Sequence, residues 1–286
     1  MTGANGPFGR LVAEHLLTLV PAEGVAVSVR DAAGAEALRE RGVDVREADF
    51  GRPESLAGAF AGAETVFVNG TYAGAAPDVR GPQLRAAVAA ARAAGARRIV
   101  VTSWQDCDRN PVPTLTDFAD TEAAVRAQPL PWTLVRVGYG LATTLARDVV
   151  AARRDGVLTA PAGDARAAVG ATPDQAEAAA RILAADGAHD GARYDLTGPD
   201  TVGWAELAEL AGPGIEYRPE SEADFRARWV AKGFPEAAAD QLLALYTGFR
   251  AGWAGTVTGD LAALLGRAPT PAREAVRQAV DAWAWG

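Results

Sequence analysis

The first residues able to do chemistry are glycines. Thr2-Gly3-Ala4-Asn5-Gly6-Pro7-Phe8-Gly9 sets glycines three apart, and Arg10-Leu11-Val12 opens a helical pattern at once. That spacing lets a backbone turn tightly, approach a pyrophosphate and seat a helix start against a sheet. The free N–H groups and positive end of the helix then hold the anion. Gly3, Asn5, Gly6, Pro7, Phe8 and Gly9 are therefore the expected phosphate cradle of a dinucleotide. A bare glycine turn is the rival reading, and the next strand argues against it. Arg30 stands where the strand pattern over 25–29 ends. An acid there would take the ribose 2′-hydroxyl of NAD, whereas a guanidinium suits the 2′-phosphate of NADP. NADP(H) is thus the expected cofactor, with Asp31 as a competing surface partner for Arg30. Asp49 and Phe50 end a later strand and either border the adenine or serve as a cap and a core side chain.

In open α/β sheets, ligands bind outside the carboxyl ends of the strands. Those ends supply Asn69-Gly70-Thr71-Tyr72, Thr102-Ser103-Trp104 and Gly138-Tyr139. Asn69, Thr71 and Thr102 offer hydrogen bonds to a ribose or carboxamide, while Gly70 and Gly138 let a cofactor approach the backbone. Ser103 is placed to orient a carbonyl, and Tyr139 and Tyr72 to donate a proton. A phenol with an ordinary pKa near 10 does this at neutral pH. Trp104 and Asp106 are the expected substrate contacts. Each residue has a plainer reading as a strand-end cap or core filler. Cys107 is the single cysteine and has no histidine near it in sequence, so it makes a poor nucleophile. With His15 and His189 the only histidines, a cysteine/histidine zinc cage is out of reach, and no metal is expected.

Positioning these groups requires strands that alternate with helices, and the chain has that pattern. Apolar runs over 25–29, 43–47, 65–69, 98–103, 132–137 and 193–197 read as strands. Helical patterns lie between them at 10–19, 33–41, 53–61, 82–94 and 120–127. The nearly continuous run Thr65-Val66-Phe67-Val68 indicates burial on both faces, as in a parallel sheet. The expected fold is α/β: a doubly wound, mostly parallel Rossmann-type sheet with a smaller, mainly helical C-terminal substrate lobe. The core is expected over 1–145, rejoined by the strand near 193–197, and the lobe over 146–286. In the lobe Tyr246, Phe249 and Trp253 share one helical face, read as core in preference to an aromatic lid over a planar substrate.

The 286 residues carry a net charge of −8, which argues against nucleic-acid and anionic-membrane binding. No apolar run reaches membrane-spanning length and no signal segment opens the chain, so a reducing cytoplasm is the expected compartment. One conflict stands out. A hydrophobic strand should precede the glycine loop, yet Met1 lies only two residues before Gly3. Three solutions are open: a start further upstream, another segment in the central slot, or a sheet built differently. A gap or a direct closure of the neighbouring strands would weaken both the fold and cofactor binding.

With these residues in view, the chain resembles the NmrA-like family of atypical short-chain dehydrogenases, and within it the type-2 NAD(P)H:quinone oxidoreductases. The resemblance runs through Thr2–Gly9, Val29-Arg30, Ala48-Asp49-Phe50, Ile99-Val100-Val101-Thr102-Ser103, Thr121-Glu122 and Trp132-Thr133-Leu134-Val135-Arg136. It continues in Tyr194-Asp195-Leu196-Thr197-Gly198-Pro199 and Val257-Thr258-Gly259-Asp260. It implies an NADP(H)-dependent reductase that passes hydride to a small planar or aromatic acceptor, quinone-like or an intermediate of specialised metabolism. The oligomeric state stays open, with a homodimer as one candidate. The resemblance also exposes a departure. The tyrosine and lysine of standard short-chain dehydrogenases would fall at Thr114 and Phe118, and quinone reductases of the family commonly carry a histidine where Phe118 stands. The loss favours a rival reading, a non-catalytic NADP(H)-binding sensor; a member recruited to a non-redox reaction is the third.

Overall fold

The computed structural model describes residues 1–70, 77–109, 112–138 and 140–283. They form two compact units that interleave along the chain. The first takes Met1–Trp104, Asp117–Val137 and Pro173–Asp195; the second takes Gln105–Thr116, Gly138–Thr172 and Leu196–Gly286. The described strands are β1 (Ala26–Val29), β2 (Asp44–Glu47), β3 (Thr65–Val68), β4 (Arg98–Trp104) and β5 (Trp132–Val137). After them come β6 (Leu158–Ala160), β7 (Arg166–Ala167), β8 (Arg193–Leu196), β9 (Val202–Gly203) and β10 (Tyr217–Pro219). The helices that position the site are α1 (Pro7–Leu16), α2 (Glu36–Arg39), α3 (Glu54–Phe60), α4 (Pro77–Ala93), α5 (Asp117–Ala127) and α6 (Leu141–Asp155). Downstream lie α7 (Thr172–Ala184), α8 (Trp204–Ala211), α9 (Glu222–Ala231), α10 (Glu236–Arg250), α11 (Asp260–Leu265) and α12 (Ala272–Trp283).

The first unit is the expected parallel sheet with helices. β3, β4, β5 and β8 are neighbours in that order, and β3–β4 and β4–β5 pair in parallel, Phe67 opposite Val100 and Val101 opposite Leu134. β1 and β2 form a second parallel pair, with Ala26 opposite Asp44. Val66, Val68, Ile99, Val101 and Leu134 pack against Leu56 and Phe60 of α3, Leu84 and Val88 of α4 and Val125 of α5. Withdrawing each such side chain from water contributes roughly 1.5–3 kcal/mol. Helix α4 starts five residues earlier than the sequence pattern suggests and carries Pro82 inside it. Pro82 leaves the Asp78 carbonyl without its helical donor, and Asp78 is exposed, so water can take that carbonyl.

Residues 1–3 occupy the slot between the two strand groups, so neither the gap nor the direct closure occurs. Thr2 bridges Ser28 in parallel, Ser28 N–H donates to the Met1 carbonyl at 2.7 Å, and Gly3 N–H donates to the Ser28 carbonyl at 3.1 Å. On the other side Thr2 N–H donates to the Phe67 carbonyl at 3.0 Å. The Thr2 hydroxyl donates to the Asn69 carbonyl at 3.0 Å and accepts from the Asn69 N–H at 2.9 Å. The run along the sheet is therefore β2, β1, residues 1–3, β3, β4, β5, β8. Backbone groups fill the slot where hydropathy had shown no strand.

The second unit gathers short strands and helices around aromatic side chains. β6 pairs with β10 in parallel and β7 with β9 antiparallel. Tyr246, Phe249 and Trp253 face inward, at 0 %, 1 % and 3 % exposure, among Trp204 and Phe225. The stripe is core, as its helical spacing suggests. At its centre Asp148 accepts from the Tyr246 hydroxyl and from Trp204 Nε1, the latter at 2.8 Å. Burial raises the Asp148 carboxyl against the pull of Arg147. Burial and that carboxyl together hold the Tyr246 phenol well above its ordinary value, so it is a structural donor. Among the described residues no helix is long and apolar enough to cross a membrane, and no cluster of acids, histidines and cysteine could hold a metal ion.

Candidate functional site

The glycine loop leaves β1's neighbour at Gly3 and enters α1 at Pro7, a residue suited to the first helical position because its missing N–H would have no partner there. Gly3 adopts φ +70°, a left-handed conformation that glycine reaches without a Cβ clash. A Cβ on Gly9 would lie 2.1 Å from the Gly3 carbonyl oxygen, so the loop folds back on the helix as only glycine permits. A Cβ on Gly6 would stand 3.3 Å from the same oxygen, a tight but yielding contact. Gly6 caps α1 with no side-chain hydrogen bond, which leaves the helix start to an outside anion. These features fit a pyrophosphate.

Neighbouring side chains hold the loop from two sides. Asn5 Nδ2 donates to the Asp31 carbonyl at 3.0 Å, tying the loop to the end of β1, and Gly34 leaves room for that amide. The Asn69 amide lies over the loop, its Nδ2 2.9 Å from where a Cβ on Gly3 would stand and 3.0 Å from where one on Gly9 would. Phe8 is buried on the inner face of α1. Arg30 is exposed, and no hydrogen bond or ion pair engages it among the described residues. Asp31 instead accepts from Ala33 N–H at 2.9 Å, so it caps the next turn and leaves Arg30 to solvent. Asp49 accepts from Gly51 N–H at 2.8 Å in a tight turn closed by Ser55, while Phe50 packs half-buried on the core.

At the far strand ends, Gly70 N–H donates to the Thr102 hydroxyl at 3.1 Å, and that hydroxyl reaches the Val68 carbonyl at 3.3 Å. A Cβ on Gly70 would collide with Leu84 at 2.5 Å. Thr102 thus fastens the turn after β3 to β4. Ser103 and Trp104 are buried at the end of β4, at 4 % and 7 % exposure. Thr71, Tyr72 and Tyr139 lie outside the described residues, as does the side chain of Thr114. In the second unit, Gly138 packs so that a Cβ would come within 2.7 Å of Gln105 Oε1.

The position that the resemblance assigns to a polar catalytic group is filled by hydrocarbon. Phe118 is 7 % exposed, with the Arg80 guanidinium 4.6 Å from its ring centroid and the Trp104 ring at 5.8 Å. Arg80, itself fully buried, donates from Nε to Asp117 at 3.0 Å, and its Nη2 also meets that carboxylate. Phe118 is clamped and can move no proton. Sequence reasoning missed Arg80, Asp117 and Gln105. The available signal was a charged or amide side chain on the buried period of an element, and it identifies no partner so far away in sequence.

With that geometry established, relatives can be set beside it. Residues 3–185 match the family model described as NAD(P)H-binding. The chain is similar to quinone oxidoreductase 2 of Escherichia coli (strain K12), 33 % identical over 282 residues and covering 96 % of each protein. Among solved structures it is similar to Citrobacter sp. triphenylmethane reductase, with a TM-score of 0.89, 30 % identity and 98 % of each chain covered. It is also similar to the NADPH-dependent quinone oxidoreductase of Escherichia coli complexed with NADPH, with a TM-score of 0.88, 32 % identity, 97 % of this chain and 98 % of that one covered.

Proposed function

Because the chain belongs to the NAD(P)H-binding family, as an NmrA-like atypical short-chain dehydrogenase and an NAD(P)H-dependent oxidoreductase, we propose that it passes hydride from NADPH to a quinone-like planar acceptor. NADPH supplies the hydride when bound, and with one solvent proton the quinone becomes the hydroquinone. The chain's own residues bind and orient. Gly3, Gly6 and Gly9 bring backbone and helix end to the pyrophosphate, Asn5 and Asn69 brace the loop, and Arg30 meets the 2′-phosphate. Trp104 and Phe118 give an apolar boundary at the end of β4.

The observation that carries the reading is Phe118 held between Arg80 and Trp104. A simple ketone needs an enzymic acid as hydride arrives, because its alkoxide is a strong base, and Phe118 cannot supply one at the position where the resemblance places it. A quinone takes hydride into a stabilised, weakly basic anion and needs orientation above all. The reading is tested by NADPH oxidation against a panel of para-quinones beside matched simple ketones. Turnover confined to quinones is the expected result. Comparable ketone reduction would refute the acceptor class, and tight NADPH binding with no turnover of any acceptor would favour the sensor reading.

Arg30 supplies a second check. Arg30→Asp replaces the phosphate partner with a like charge and should raise the Kd for NADPH by about 10- to 100-fold, the scale of one hydrogen bond to a charged group. The Kd for NADH should move far less. Equal losses for the two cofactors in parallel titrations would remove Arg30 from the 2′-phosphate role.

A further inference from the structure

Two consecutive side chains just beyond the end of β4 hold buried acceptor oxygens with no donor among the described residues. Gln105 is 1 % exposed, and its Nε2 donates to the Ala168 carbonyl at 3.4 Å and the Ala254 carbonyl at 3.3 Å. Flipping the amide would set Oε1 against both carbonyls, so these bonds fix its orientation. Oε1 is then buried without a hydrogen-bond partner. Asp106 is 7 % exposed and gives Oδ1 to Arg109 Nη2 at 2.7 Å, an arginine also bound to the Thr256 hydroxyl at 2.8 Å. Its Oδ2 is likewise buried and unpartnered.

Strain gathers at the same place. Among the described residues the non-glycine positions with positive φ are Asp106 at 54° and Ala254 at 62°. One is an acceptor residue, and the other supplies the carbonyl that anchors Gln105 and also takes Ala168 N–H at 2.7 Å. Backbone held in this region persists only where its surroundings over-determine it, and it clusters at ligand sites. Gly138 keeps one side of the amide clear, since a Cβ there would stand 2.7 Å from Oε1.

We propose that Gln105 Oε1 and Asp106 Oδ2 accept hydrogen bonds from a hydroxyl or amino group carried by the planar substrate, so that acceptors bearing such a donor are preferred. The proposal rests on the reductase reading above and names its substrate class. An amide oxygen and an ion-paired carboxylate have no proton to offer. They reward an O–H or N–H group and penalise a carbonyl or carboxylate in the same place. In sequence the two residues follow Trp104 directly.

The test compares hydroxymethyl-para-benzoquinone with methyl-para-benzoquinone as acceptors for the NADPH-loaded protein. The native protein should favour the hydroxymethyl compound in kcat/KM by about tenfold, the worth of one hydrogen bond to a buried acceptor. Asp106→Asn turns one acceptor position into a donor while tolerating the left-handed backbone, and should bring the ratio towards one. Gln105→Met should do the same, with folding checked by circular dichroism. Turnover of both quinones without preference would overturn the proposal, as would a preference that survives in both folded variants. If neither quinone is turned over, the reductase reading falls, and equilibrium binding of the same pair decides. Binding about tenfold tighter for the hydroxymethyl compound, lost in Asp106→Asn, upholds the site; equal binding overturns it.

Discussion

Gly9→Ala should weaken NADPH binding by about a hundredfold or more, an effect expected from the loss of two charge-assisted hydrogen bonds. The added Cβ would sit 2.1 Å from the Gly3 carbonyl oxygen and 2.8 Å from its carbonyl carbon. Both are backbone atoms and cannot rotate aside. Gly3 is already at φ +70°, and Asn69 Nδ2 stands 3.0 Å from the new carbon. The loop must therefore open, and the N–H groups proposed to hold the pyrophosphate move off their lines. Gly6→Val probes the same cradle more gently. Its first carbon comes only to 3.3 Å of the Gly3 oxygen, so the turn survives while the branched side chain fills the anion's space. Gly24→Ala is the control, because nothing lies within 4 Å of the position its Cβ would take. Calorimetric titration with NADPH measures all three, beside circular dichroism. A folded Gly6→Val variant with native affinity would remove the glycine loop from cofactor binding.

The turn at Gly3 and the helix start behind it were legible because their signal is local: the glycine spacing and the helical pattern adjoin each other in sequence. The buried strands of the parallel sheet were legible for a related reason, since burial on both faces leaves an unbroken apolar run such as Ile99-Val100-Val101. Helix α6 leaves a weaker mark in the sequence. Its inner face carries Leu141, Leu145, Val149 and Ala152 at helical spacing, but Asp148 falls on that same face. The carboxylate makes sense only with Tyr246 and Trp204, supplied from 98 and 56 residues away. β6 and β10 have three residues each, too few for a period to show, and β10 ends on a proline. Residues 1–3 were missed because they fill their slot through backbone hydrogen bonds to Ser28 and Phe67, and hydropathy does not register those. Likewise Gln105 meets partners 63 and 149 residues away, and Arg80 meets Asp117 across 37. What sequence withheld was long-range polar pairing.

The same kind of pairing sets the largest expected change in stability. Glu122 on α5 is 1 % exposed and faces Arg136 on β5 at 2 %. Nε donates to Oε1 at 2.7 Å and Nη2 to Oε2 at 2.8 Å, a bidentate fork, and Arg126 adds a third contact at 3.1 Å. Asp195 on β8 lies 3.6 Å from Arg136 Nη1, so the guanidinium joins α5, β5 and β8. Glu122→Ala should cost about 3–5 kcal/mol, because it takes the bidentate carboxylate away from a buried guanidinium. Removing both charges is a different matter. Glu122→Leu with Arg136→Met takes away the desolvation cost together with the attraction, and should recover most of the loss. Urea denaturation of the single and double variants, with slopes compared so that midpoint shifts report stability, closes the cycle. A loss below about 1 kcal/mol in Glu122→Ala would mean that the other partners of Arg136 and solvent satisfy it without Glu122, as at an exposed pair. A double variant no more stable than Glu122→Ala would show instead that the fork positions α5 on the sheet in a way hydrocarbon cannot replace. The strand it secures leads directly to Gly138, so that outcome would also weaken NADPH oxidation beyond the change in stability.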